Sequence, residues 1–138
     1  MKFERKLEMR IITYPLKAKE ELFRRSYFEE LKNYLEKETQ IGPVIDSINK
    51  ANMFKALEIG REGFSSFSNR ELVGSIMIKK SGFIIYNWHF SGTGMKKPLI
   101  QLYYMSTYFL GYLNLIFKFY RKIDYDGEFI LIFTVTSS

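Results

Sequence analysis

The chain has 138 residues, which suits a single domain (residues 1–138) large enough to bury a core. It contains no cysteine, and this excludes disulfides, thiol catalysis and cysteine-ligated zinc sites. A net charge of +6 favours anionic partners such as nucleic acid or acidic protein surfaces. The charged residues that follow Met1 argue against a signal peptide, and the lack of cysteine fits a cytoplasmic location.

The amino-terminal half predicts one strand and two amphipathic helices. Residues Leu7–Tyr14 begin with alternating apolar and charged side chains, which is typical of a half-buried strand. Residues Leu16–Lys37 place apolar side chains at three- and four-residue steps opposite a face of mixed charge, so this segment predicts a helix. A second helix is predicted over Val44–Ile59. The serine-rich stretch Arg61–Arg70 is interpreted as a loop anchored by two phenylalanines.

The carboxy-terminal half predicts three strands. Residues Leu72–Lys80 and Phe83–Phe90 form two of them, joined at a Ser-Gly hairpin, and one face of the second strand is strongly aromatic. An Asp-Tyr-Asp-Gly turn precedes the last strand, Glu128–Thr136, which is apolar on both faces. Such a strand is expected to be buried on both sides or covered by a partner.

A run of 20 uncharged residues, Pro98–Phe117, separates the hairpin from the last strand. It is long enough to cross a membrane, and basic residues flank it on both sides. Polar side chains such as Gln101 and Asn114, and four tyrosines, interrupt the run, and no second long apolar segment exists to pair with it. We therefore interpret it as a central core helix, covered on most sides, rather than a membrane span.

The predicted order is strand, helix, helix, strand, strand, helix, strand, which indicates an α+β domain with a four-stranded, mostly antiparallel sheet. Without the Val44–Ile59 helix the order becomes β-α-β-β-α-β, as in ferredoxin-like folds. That topology places the last strand at an edge, where its apolar faces would have to be paired or capped.

Few segments resemble a chemical site. The loop Ser91–Gly94 with the two lysines before the helix offers glycines and positive charge at a helix start, a setting for an anion, although glycines also serve an ordinary strand-to-helix connection. His89 is the only histidine, and Asp124 and Asp126 fit a turn better than a metal site. We therefore predict no catalytic residue, metal or cofactor.

The stretch from Phe119 to Leu131 reads Phe-Tyr-Arg-Lys-Ile-Asp-Tyr-Asp-Gly-Glu-Phe-Ile-Leu: a Phe-Tyr pair at a helix end, an Asp-Gly turn and the start of an apolar strand. From Leu72 onward the chain resembles the C-terminal region of prokaryotic Schlafen-like DNA-binding proteins. The N-terminal nucleic-acid-binding domain of that family is not recognisable. The resemblance implies an accessory or assembly module, transfers no active site, and fits either a separate subunit or a fragment.

Three functions follow as hypotheses. The first is a binding module that docks another subunit or a second copy of itself through Phe129, Leu131, Phe133, Val135 and Trp88. The second is a basic nucleic-acid-binding domain that contacts phosphates through Lys79, Lys80, Gly92, Gly94, Lys96, Lys97, Lys118, Arg121 and Lys122. A small enzyme built around His89 and the glycine loop ranks third.

Overall fold

The structure is a computed structural model that describes residues 7–17, 21–38, 58–69, 72–90 and 98–137. These residues form one antiparallel sheet and two α-helices, so the predicted α+β class is confirmed. In chain order the elements are β1 (Leu7–Pro15), α1 (Phe28–Glu38), β2 (Glu58–Ile59), β3 (Gly63–Asn69), β4 (Leu72–Lys79), β5 (Ile84–Phe90), α2 (Pro98–Lys122) and β6 (Phe129–Ser137).

The sheet has six strands in the order β2-β3-β4-β5-β1-β6, and every pairing is antiparallel. The predicted sheet of four strands, and with it the four-stranded ferredoxin-like description, was wrong, because two further strands extend the sheet: the segment interpreted as a loop is β3, and the end of the second predicted helix is β2. The residues of β3 pair with β4 from Gly63–Lys79 to Asn69–Val73. A serine-rich segment without alternation gives no strand signal of its own, so the ladder with β4 determines its structure.

One face of the sheet forms the floor of the core. Along β1, Met9, Ile11 and Thr13 are buried, and along β5 every second residue from Ile84 to Trp88 is buried. Both helices lie on this face: Phe28 of α1 contacts the ring of Phe64, and Tyr112 of α2 stacks on Tyr86. The described residues therefore form a layer of two helices on one sheet.

The first predicted helix begins later than expected. Residues 28–38 are helical after a 3₁₀ turn at Arg25–Tyr27, whereas the prediction started at Leu16. The backbone N–H groups of Leu22 and Phe23 donate to the carbonyl of Lys80, which holds this segment against the β4–β5 turn in a non-helical path. Residues 44–57 of the second predicted helix lie outside the described residues, and its last two residues form β2.

The long helix begins at Pro98 as predicted and continues to Lys122. Arg121 and Lys122 occupy its last turn, where positive charge is favourable. The prediction that this helix is covered on most sides was wrong. Leu110 and Phe117 are more than half exposed, because the sheet lies beneath the helix on one side only. Of the helices that the structure describes, none has the length and apolar character needed to span a membrane.

Candidate assembly surface

Strand β6 is one of the two edges of the sheet, and its only neighbour among the described strands is β1. The N–H of Leu16 donates to the carbonyl of Glu128 at 2.8 Å, which marks this pair as a hydrogen-bonded position of the β1–β6 ladder. Hydrogen-bonded positions alternate in antiparallel ladders, so the backbone N–H and C=O groups of the even-numbered residues of β6 point toward β1. The odd-numbered residues, from Phe129 to Ser137, direct their N–H and C=O groups away from the sheet.

The same odd-numbered residues place their side chains on the helix-bearing face. Phe129 and Leu131 are partly buried against the core, whereas Phe133 is 43% and Val135 40% exposed. On the other face of the strand, Ile132 is 45% exposed. The nine residues of β6 include no charge and no proline. The strand thus offers both an open row of backbone groups and apolar side chains.

Helix α2 leaves part of β6 open because it lies over β5 and β1. Trp88 of β5 stacks on Tyr108 of α2 with ring centroids 4.4 Å apart, and Thr13 of β1 hydrogen-bonds the hydroxyl of Tyr112. Trp88 is only 4% exposed. It therefore belongs to the core and is not on the surface that the other four predicted interface residues share.

Two aromatic contacts join α2 to β6. The ring of Phe109 lies 5.1 Å from that of Phe133, and the ring of Phe117 lies 5.9 Å from that of Phe129. Phe117 is itself 59% exposed. We name strand β6, together with Leu110 and Phe117 of α2, the assembly edge.

The exposed side of α2 was missed in the sequence because the run is apolar nearly all round the helix. The available signal was the position of two of its polar residues. Ser106 and Asn114 are exposed, on the same side of the helix as Leu110 and Phe117. Ser106 and Asn114 therefore mark the side that faces away from the sheet, whereas Thr107, another polar residue of the run, is buried.

The opposite edge of the sheet differs from β6. Strand β2 has two residues, Glu58 and Ile59, and both are exposed. Very short edge strands and charged side chains are the usual means by which proteins prevent unwanted strand pairing. Strand β2 has both of these features, whereas β6 has neither.

The predicted phosphate-binding lysines near the hairpin have partners within the chain. Lys79 lies with its Nζ 5.6 Å from the ring centroid of Phe83. Lys80 lies in the β4–β5 turn, with Nζ 3.1 Å from a carboxylate oxygen of Glu21 and 3.8 Å from one of Glu62. The two glutamates offset the charge of Lys80 and stabilise the turn against the segment before α1.

The other basic candidates lie at the end of α2. Lys122 has its Nζ 3.9 Å from Glu30 and 5.0 Å from the ring centroid of Tyr34, so it links α2 to α1. Lys118 is partly buried and Arg121 is exposed. The four remaining candidates lie outside the described residues: Gly92, Gly94, Lys96 and Lys97. The described residues thus bring Lys118, Arg121 and Lys122 together on one helix and leave Lys79 and Lys80 at the hairpin.

The residues considered for acid–base chemistry are on the open face of the sheet or in turns. His89 is exposed with its Nε2 4.0 Å from a carboxylate oxygen of Glu8. Within the part of the chain that the structure describes, no group of three or more metal-ligating side chains occurs. Burial raises the pKa of Tyr86, Tyr112 and Tyr120. These hydroxyls therefore stay neutral and serve as structural groups of the core.

Comparison of the sequence with protein-family models and with curated proteins gives no match. The resemblance to the C-terminal region of Schlafen-like proteins therefore stays a prediction.

Proposed function

We propose that the chain is a non-catalytic accessory module that assembles with another protein chain through the assembly edge. The observation that carries the proposal is an uncharged edge strand of nine residues whose exposed apolar side chains continue onto an exposed helix face. A strand from a partner can satisfy the outward backbone groups of β6 and cover Phe133 and Val135 at the same time. This agrees with the accessory or assembly role that the family resemblance implies, and we propose that the assembly is a nucleic-acid-directed complex.

Direct nucleic-acid binding is the alternative, and the contacts of the basic residues favour it less. Lys80 and Lys122 have carboxylates within 4.0 Å, so a phosphate would have to compete with these intramolecular partners. Arg121 is exposed at the end of α2 and is the candidate best placed to meet a phosphate. Among the candidates that the structure describes, one exposed arginine with partly neutralised neighbours contacts few phosphates, and binding strength follows the number of phosphates contacted.

The proposal is tested in the cells that produce the protein, with the tagged full chain, by gel filtration of the extract. We expect the wild-type chain to elute in a complex larger than the monomer and the Phe133→Lys variant to elute as a monomer. The matched control is Ile59→Lys, since Ile59 is 41% exposed on the opposite edge. It should leave the complex intact. A wild-type chain that elutes as a monomer, or equal behaviour of both variants, contradicts the proposal.

A further inference from the structure

We infer that the strand that pairs with β6 is β6 of a second copy of this chain, antiparallel and centred on Phe133. This inference rests on the proposed function, because it names the partner of the assembly edge. The inference can be tested separately from the proposed function, because a complex with a different protein would overturn the inference and leave the proposed function valid.

The backbone of β6 is self-complementary in this register. An antiparallel pair can form its full ladder only when residues with outward N–H and C=O groups face one another. When Phe133 lies opposite Phe133 of the second copy, Leu131 lies opposite Val135. Every odd-numbered residue of the strand then faces another odd-numbered residue. The nine residues of β6 have Phe133 as their midpoint, so this register pairs the whole strand.

The side chains are self-complementary too. On the helix-bearing face the register joins phenylalanine to phenylalanine and leucine to valine, which are favourable cross-strand neighbours. On the other face it sets Ile132 opposite Thr134 and Ile130 opposite Thr136. No like charges meet along the strand, because β6 has no charged residue. Two copies of a chain with net charge +6 can therefore approach at this edge without close repulsion between the paired residues.

The exposed apolar area of β6 determines how tightly we expect the two copies to bind. A free large apolar side chain exposes about 150–250 Å². Exposures of 40–45% at Ile132, Phe133 and Val135 therefore leave about 70–90 Å² on each, so that strand pairing covers at most about 500 Å² of it over the two copies. This is about half of the ~1,000 Å² that a stable interface needs. Side chains of the assembly edge outside the strand supply part of the remainder, and we expect a reversible dimer with a dissociation constant in the micromolar range.

Sedimentation of the purified full chain between about 1 and 500 µM covers that range. Growth of a dimer with concentration supports the inference, and a monomer throughout overturns it. A monomeric purified chain whose native complex is lost in the Phe133→Lys variant would overturn the homodimer and retain the proposed function. If the native complex is absent as well, both are overturned.

The register is tested by two separate spin-labelled variants, Glu128→Cys and Thr136→Cys, whose labels are unique because the chain has no cysteine. With about 3.3 Å per residue, a two-fold axis at Phe133 separates the Glu128 labels by about 33 Å and the Thr136 labels by about 20 Å. An axis at Ile132 would give about 26 Å for both. Dipolar distances that match the first pair support the inference, and any other pair overturns it.

Charged substitutions at the two-fold axis of the dimer give an independent test of the register. In this register residue 133 faces itself with Cβ atoms about 5 Å apart, so the Phe133→Glu and Phe133→Lys variants each place like charges in contact. We expect each variant alone to dimerise at least about 100-fold more weakly than the wild type, and an equimolar mixture to recover the dimer. Failure of the mixture to associate, with both variants shown by circular dichroism to be folded, overturns the register. If either variant does not fold, the spin-label distances decide.

Discussion

A buried hydrogen bond between two side chains joins the sheet to the long helix. The hydroxyls of Thr13 and Tyr112 meet in a region where both residues have no exposed surface. Both belong to the core, so removing one hydroxyl leaves the other buried without that partner. The bond therefore contributes more to the position of α2 on β1 than its small net energy suggests.

We expect Tyr112→Phe to destabilise the chain by about 1–2 kcal/mol in urea unfolding, because the Thr13 hydroxyl loses its partner. The matched variant Thr13→Val should cost a similar amount. The double variant should cost clearly less than the sum of the two, since no unpaired hydroxyl is left. Additive effects would show that the two hydroxyls do not depend on each other for hydrogen bonding.

The buried tyrosines also predict how stability depends on pH. Burial raises the pKa of Tyr86, Tyr112 and Tyr120 in the folded chain, whereas in the unfolded chain they ionise near their ordinary pKa of about 10. Below about pH 10 the three hydroxyls are protonated in both the folded and the unfolded chain, so their ionisation does not reduce the free energy of unfolding. Above that pH, the unfolded chain releases protons that the folded chain keeps, and the free energy of unfolding falls.

We therefore expect the urea midpoint to decrease progressively above about pH 10. Tyr120→Phe should reduce that slope, because one of the three groups is removed. The same variant should lower stability at neutral pH, since the Tyr120 hydroxyl donates to the carbonyl of Gly82 at 2.9 Å. A midpoint that rises with pH in this window would contradict the assignment.

At the scale of elements, the β2–β3 hairpin shows a glycine requirement that the sequence did not reveal. A Cβ on Gly63 would lie 1.8 Å from the carbonyl oxygen of Ile78 in the adjacent strand. A Cβ on Gly60 would meet only the carbonyl oxygen of Gly63 at 3.7 Å, an ordinary contact. Close approach of the two backbones therefore requires glycine at the first position of β3 but not three residues earlier.

Gly63→Ala should destabilise the chain by about 3 kcal/mol or more, at the upper end for a point substitution, because backbone atoms must move. Gly60→Ala is the control and should change the free energy of unfolding by less than about 1 kcal/mol. Chemical unfolding followed by circular dichroism measures both. Equal effects of the two substitutions would show that the hairpin does not approach β4 as closely as described.

The elements that the sequence predicted well are those whose local pattern and tertiary environment agree. β1, β4, β5 and β6 were placed within one residue at each end, because period-2 alternation or continuous apolar sequence lies between clear turn residues. β3 was missed because its structure depends on its neighbour, and the start of α1 was misplaced because two backbone bonds to Lys80 hold the preceding segment out of the helix. Such long-range bonds leave no trace in a local pattern.

The candidate site, too, was predictable from the sequence only in part. The two-sided apolar sequence of the last strand predicted that it is buried on both sides or covered by a partner, and the structure places it at an edge with exposed apolar side chains. Trp88 was misassigned because an aromatic strand face looks the same whether a helix of the same chain or a partner covers it. The decisive information is where α2 rests, and only the three-dimensional packing supplies it.

Amide exchange can test the edge position of β6 directly. The amides of Ile132 and Thr134 face β1, whereas those of Phe133 and Val135 face outward. In dilute solution we expect slow exchange at the even-numbered positions and fast exchange at the odd-numbered ones, measured by nuclear magnetic resonance. Raising the protein concentration should protect the odd-numbered amides selectively. Equal protection of both sets in the dilute monomer would mean that the outer side of β6 is already paired.

At the scale of the whole molecule, the net charge of +6 separates the two candidate functions by the sign of their salt dependence. Two copies of a basic chain repel each other over a distance that salt shortens, while the paired strands contain no charge for salt to screen. Raising the salt concentration should therefore strengthen self-association. Phosphate binding has the opposite dependence, because salt opposes the release of counterions from nucleic acid.

We expect the dimer dissociation constant to fall several-fold between about 50 and 500 mM NaCl, and any affinity for a labelled oligonucleotide to weaken steeply over the same range. Sedimentation and fluorescence anisotropy on the same samples measure both. Arg121→Ala should reduce oligonucleotide binding and leave dimerisation unchanged, whereas Phe133→Lys should abolish dimerisation and add one positive charge. Tight, salt-sensitive oligonucleotide binding by the Phe133→Lys variant, without any dimer in the wild type, would favour the nucleic-acid alternative, since an apolar strand edge cannot produce that dependence.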